Sequence, residues 1–111
     1  MTTQEISKMI ADIGVPYTYY QFSKDTAKPP PFICFYYPNS ADLMADNINY
    51  AKINALTIEL YTDSKDFELE KQVEDVLAAH ELPYTREETY IDTERMYMAI
   101  YYTEVLIDNA D

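Results

Sequence analysis

Cys34, His80 and the glutamates Glu87, Glu88 and Glu94 are the residues whose types could carry out catalysis. A Ser-His-Asp or Cys-His-Asp site would have to use His80, the single histidine, with partners that no motif specifies. The glutamates could pair for acid-base work. With 20 acidic residues in 111, however, carboxylates near one another are expected by chance. A zinc site needs several cysteine or histidine ligands, and the chain has one of each. Asp42, Asp46 and Asn47 offer oxygen ligands for a hard cation, but their spacing is not that of an EF-hand and no central glycine stands among them. A single glycine excludes the phosphate-cradling loops of P-loop and dinucleotide-binding proteins, which need several. The expectation is a protein that is not an enzyme, with no catalytic residue, metal or cofactor.

Size and charge narrow this further. A chain of 111 residues fits one domain, which buries roughly 65% of its unfolded surface and can build a modest core without staples. Hydrophobic residues make up 48%, too many for a disordered chain. With one cysteine no internal disulfide forms, and a reducing compartment is expected. The start, MTTQEISKM, lacks the pattern of a signal peptide. No run approaches the roughly 20 apolar residues that span a bilayer, so no membrane partner is expected. The net charge of −12 opposes binding to nucleic acid or to anionic lipid. Spread along the chain, it describes a solvated, self-repelling surface. The sharper alternative is an acidic inhibitor or DNA mimic that occupies a basic cleft, with Asp63, Asp66, Glu68, Glu70, Glu74 and Asp75 partly aligned on one helix.

The elements that would position these groups follow from periodicity. Thr2 with Glu5 fits a capping box, and Ile6, Met9, Ile10 and Ile13 form a helical stripe. Gly14 suits a left-handed residue after the helix, and Pro16 cannot continue it. A first helix is predicted over Gln4–Ile13. Tyr17–Phe22 reads as a strand. Residues 23–31, SKDTAKPPP, break it as a polyproline connector or a projecting arm. Phe32–Tyr37 reads as a strand apolar on both sides, with Cys34 as a small core residue. Residues 38–52 read as a long loop with a short helical turn near Asp42, and 108–111 as a frayed tail.

The stretch from Asn54 to Leu77 is the most regular. Leu56, Ile58 and Leu60 share one side of a strand over Ile53–Tyr61, with Thr57, Glu59 and Tyr61 on the other. Ser64 or Asp63 would cap a second helix over Asp66–His80, which places His80 against the helix dipole. Tyr84–Tyr90 and Met96–Ile107 are close in sequence and predict a hairpin. The order is α-β-β-β-α-β-β. This predicts an α+β, two-layer sandwich with a mostly antiparallel sheet and two helices on one face. The other face then stays open, and twelve tyrosines with no tryptophan favour an association surface there.

Several residues carry a family resemblance. They are Pro29-Pro30-Pro31-Phe32, then Ala45-Asp46-Asn47 with Tyr50, then Ile58-Glu59-Leu60-Tyr61-Thr62 with Lys65-Asp66. Glu70, Val73-Glu74 and Leu77 follow, then Tyr90-Ile91, Glu94, Met96-Tyr97 and Tyr101. The chain resembles small virion proteins of tailed phages and prophages of Gram-positive bacteria, the tail terminator or tail completion proteins of the head-tail joining region. The resemblance implies a homo-oligomeric ring, commonly six-fold, that caps the tail tube and meets neck or connector proteins. Its location would be the virion, after synthesis in the host cytoplasm. Its acid would fit a lumen through which DNA slides, so lysines in place of lumen carboxylates should slow ejection. The residues expected at subunit interfaces are Lys28, Pro30, Phe32, Asp42, Asp46, Tyr50, Tyr97 and Tyr101.

Overall fold

Thr2 opens α1 (Thr3–Ala11) with a complete capping box: Glu5 N donates to Thr2 Oγ1 at 3.1 Å, and Thr2 N donates to Glu5 Oε1 at 2.9 Å. Both bonds satisfy amides that a helix start leaves without intrahelical partners. Thr2→Ala removes one of them and is expected to cost about 1 kcal/mol. A urea titration reads this as a lower midpoint with an unchanged slope. Gly14, at φ +97°, ends the segment as the sequence predicts.

The fold is that of a computed structural model that describes residues 1–23, 28–45 and 48–108, with side chains outside 42–51. Among the described residues, the strands are β1 (Tyr17–Tyr19), β2 (Phe32–Tyr36), β3 (Ser40–Ala45), β4 (Ile48–Thr62), β5 (Thr85–Ile91) and β6 (Met96–Asp108). The second helix, α2 (Phe67–Ala79), lies between β4 and β5. The six strands form one sheet in the order β1-β2-β4-β6-β5, with β3 also on β4. β1 runs parallel to β2, and every other pairing is antiparallel. The α+β class and the β5–β6 hairpin agree with the sequence reading.

Both helices cover one sheet face. Ile6, Met9, Ile10 and Ile13 pack with Leu69, Val73 and Leu77 of α2 in one buried cluster. The sheet meets them with Ile33, Phe35, Leu56, Ile58, Leu60, Ala99, Tyr101 and Val105. These alternate along their strands, as a half-buried sheet requires.

Three expectations change. The strand expected over Tyr17–Phe22 stops at Tyr19, where Tyr20 turns the backbone to φ +72°. The cap of α2 is Asp66, whose side chain accepts from Leu69 N at 3.0 Å, and not Ser64 or Asp63. The oxygen must stand where it reaches the amides of the first turn, and only Asp66 immediately precedes it. The largest change concerns residues 38–52, expected as a loop. Among the described residues they hold β3 and the start of β4, paired antiparallel as two arms of a hairpin. β2 and β3 follow one edge of β4, but four steps from Tyr36 to Ser40 oppose three from Thr57 to Asn54. This is a one-residue bulge, where Ala55 N donates to Asn39 O at 2.9 Å. A second irregularity lies between Leu43 and Met44, opposite Ala51 and Asn49, so Tyr50 is the unopposed residue. Among the described residues, β6 accompanies β4 as far as Ala51. The hairpin therefore continues beyond the layered body as an arm, in a molecule measuring 51 × 30 × 23 Å.

Candidate functional site

Among the described residues, the sheet face away from the helices is bare of any covering helix. Register brings Tyr36, Thr57, Tyr102 and Thr85 into one row across it, and Cys34, Glu59, Ile100 and Glu87 into the next. A third row holds Phe32, Tyr61, Met98 and Thr89. Tyr102 is 38% exposed and Leu106, further along β6, is 47% exposed. Phe32, Tyr36, Tyr61, Met98 and Ile100 are each half-buried, with Phe22 against Phe32 and Tyr20 against Tyr36.

At the β1–β2 end this face deepens into a cleft of about 450 Å³. Its charged centre is Glu59, held by two tyrosines: Tyr61 Oη donates to Oε1 at 2.7 Å and Tyr36 Oη donates to Oε2 at 3.1 Å. Each tyrosine belongs to a group of rings. Phe32 stacks on Tyr61 with centroids 4.8 Å apart and meets Phe22 edge-on at 5.5 Å. Tyr20 lies 5.2 Å from Tyr36. Glu59 thus bridges two aromatic groups.

Cys34 sits beside Glu59. It is buried as predicted, but under this cleft and not in the helix-side core. Burial pushes its thiol up to about 11, with the Glu59 charge adding to the effect. A thiol so held stays protonated at neutral pH and is a poor nucleophile. Burial, with Glu59 as charge and hydrogen-bond acceptor, likewise pushes Tyr36 up to about 12 and Tyr61 higher.

These shifts fix an alkaline response. The folded values lie above the usual tyrosine value near 10, so the folded chain keeps protons that the unfolded chain releases. The stabilisation is complete below pH 10 and is lost as pH rises through the folded values. Tyrosinate absorbance should therefore appear in two phases, exposed rings first and Tyr36, Tyr61 and the buried Tyr101 with unfolding. Glu59→Gln should move the second phase toward lower pH. A single phase in the wild type would contradict this.

The sequence candidates separate. Lys28 and Phe32 both line the cleft, and Pro30 is half-buried on the segment leading into β2. Asp42 and Tyr50 lie on the arm, Asp42 opposite Lys52, and Asp46 falls outside the described residues. Tyr97 is half-buried with its ring 4.9 Å from Tyr90. Tyr101 is not an interface residue: it is 0% exposed, and its hydroxyl donates to Glu74 Oε2 at 2.9 Å. Its parity on β6 turns it toward the helices.

The glutamates do not converge either. Glu87 and Glu88 are neighbours on a strand and so face opposite sides. Glu87 accepts from Tyr102 on the bare face, Glu88 joins Lys65 and Arg86 on the helix side, and Glu94 lines the cleft. His80 caps α2, its Nδ1 3.0 Å from Val76 O. Among the described residues no group of three or more His, Cys, Asp or Glu could hold a metal, and no helix is long and apolar enough to cross a membrane. The Asp42–Asp46–Asn47 ligand set falls partly outside the described residues.

Sequence reasoning missed Glu59 and its tyrosine donors. The available signal was a carboxylate in the middle of the most regular strand, sharing a side with Tyr61. Neither a model of a known protein family nor a curated protein matches this chain.

Proposed function

We propose that the chain is a structural subunit of a phage head-tail joining region, a tail terminator whose copies close into a ring on the tail tube. The observation that carries this reading is the bare sheet face. Phe32, Tyr36, Tyr61, Met98, Ile100, Tyr102 and Leu106 form an apolar and aromatic surface with no helix over it. Such a face is characteristic of association, and aromatic side chains are enriched in interfaces. A closed ring needs two different surfaces on each copy that meet head to tail. The bare face and the projecting hairpin are two such surfaces. The family resemblance, through the residues quoted for it, supplies the biological setting. The action is steric: the ring stops growth of the tube and offers a surface to neck proteins, with no turnover.

The acidic-mimic alternative is weakened by the α2 region. Asp66 caps the helix, Glu70 is paired with Lys65 and Arg86, Glu74 accepts from Tyr101, and Asp75 pairs with Lys71. Carboxylates committed inside the chain are poor substitutes for phosphates.

Deleting the gene from its prophage and viewing the induced particles by electron microscopy tests the reading. Tails of uncontrolled length, or full heads without tails, are the expected outcome. Normal infectious particles would remove it.

A further inference from the structure

We propose that the aromatic cleft around Glu59 is a binding site for an arginine side chain presented by a protein neighbour. Glu59 has two carboxylate oxygens, and each accepts one tyrosine hydroxyl. A carboxylate offers about four acceptor positions, so one remains on each oxygen. Two parallel acceptors match the fork of a guanidinium, which binds carboxylates bidentately. The tyrosine bonds also fix the carboxylate, so little freedom is lost on binding.

The walls suit the same group. A guanidinium favours aromatic surroundings, and Tyr20, Phe22, Phe32, Tyr36 and Tyr61 all line the cleft. The cleft's roughly 450 Å³ is large enough for the head and its alkyl stem, with Ile91 and Met96 as apolar lining. Glu94 adds a second negative charge, and a chain of net charge −12 attracts cations at longer range. An ammonium fits less well, because it is a compact, strongly hydrated point charge. Lys28 also lines the cleft and is exposed, a like charge that an arriving cation must approach.

The probe is N-acetyl-arginine methylamide, titrated into the intact chain and followed by the ring resonances of Tyr36 and Tyr61. Saturable binding is expected, with the citrulline analogue, a neutral isostere, about tenfold weaker. Glu59→Gln should weaken the arginine probe by a similar factor, and Lys28→Ala should bind it at least as tightly as wild type. Equal binding of citrulline or of the lysine analogue would overturn the proposal, as would loss of binding in Lys28→Ala. The citrulline and lysine comparisons use the wild-type chain, so they decide even where Glu59→Gln does not fold. The titration is run at a concentration where sedimentation shows a monomer, so that failure of the ring reading does not alter its result.

Discussion

Tyr101→Ala is expected to destabilise the isolated chain by about 4 kcal/mol. The ring is 0% exposed, meets Tyr84 at 5.5 Å, and lies in the cluster that joins both helices to the sheet. Removing it leaves a cavity that rigid neighbours fill only in part. Against a total stability of about 5–15 kcal/mol for a domain this is a large share. Tyr101→Phe keeps the volume and removes the hydroxyl bonded to Glu74. It should cost only about 1 kcal/mol, because the Glu74 carboxylate is partly solvated. Urea titrations at low protein concentration measure both. A residue acting only between copies would leave these values unchanged and alter assembly instead.

The second large effect belongs to Glu70. Glu70 is 5% exposed, and its carboxylate accepts from Lys65 Nζ at 2.6 Å and from Arg86 Nη2 at 2.5 Å. Both cations also reach Glu88. Glu70 thereby ties the start of α2 to the edge strand β5. Glu70→Ala leaves two cations with the exposed Glu88 as their main anion. The expected cost is about 2–4 kcal/mol, with the upper limit reduced because Lys65 and Arg86 are partly hydrated. Replacing Glu70, Lys65 and Arg86 together by leucine and methionines should recover much of this loss, since a buried ionic group gains little over well-packed apolar side chains. A loss below about 1 kcal/mol in Glu70→Ala would remove the network from the account of stability. The pH dependence points the same way. The Lys65 bond, with Arg86 beside it, holds the Glu88 carboxyl below its ordinary value. That contribution is present above the unfolded value near 4.5 and is lost as pH falls through the depressed folded value. Charge reversal at Lys65 should remove this part of the acid transition.

The helices and most strands were legible because their signals are local. The Thr2–Glu5 box and the Leu56-Ile58-Leu60 alternation each lie within a few residues. β3 was not legible. Its sequence, SADLMA, has little β-propensity of its own, and its conformation comes from the ladder with β4. Tyr101 was misplaced for a related reason. β6 carries apolar residues at both parities, so its sequence cannot say which side the helices cover. Within the cleft, Glu59 and Tyr61 share a strand face and could be paired by eye. The arrival of Tyr20, Phe22 and Lys28 depends on parallel pairing of β1 with β2, which leaves no local trace.

The arm and the body share a strand, and this has a mechanical consequence. β4 runs without a break from Ile48 at the arm to Thr62 beside α2, flanked by β6 from Ala51 onward and by β2 and β3 on its other edge. A partner that grips the arm pulls along β4. The ladder bonds lie across the strand, so such a pull loads them in shear and many must fail together. Force applied at the arm is thus carried directly into the centre of the sheet, while an outward pull on β5 would peel its edge pairing one bond at a time.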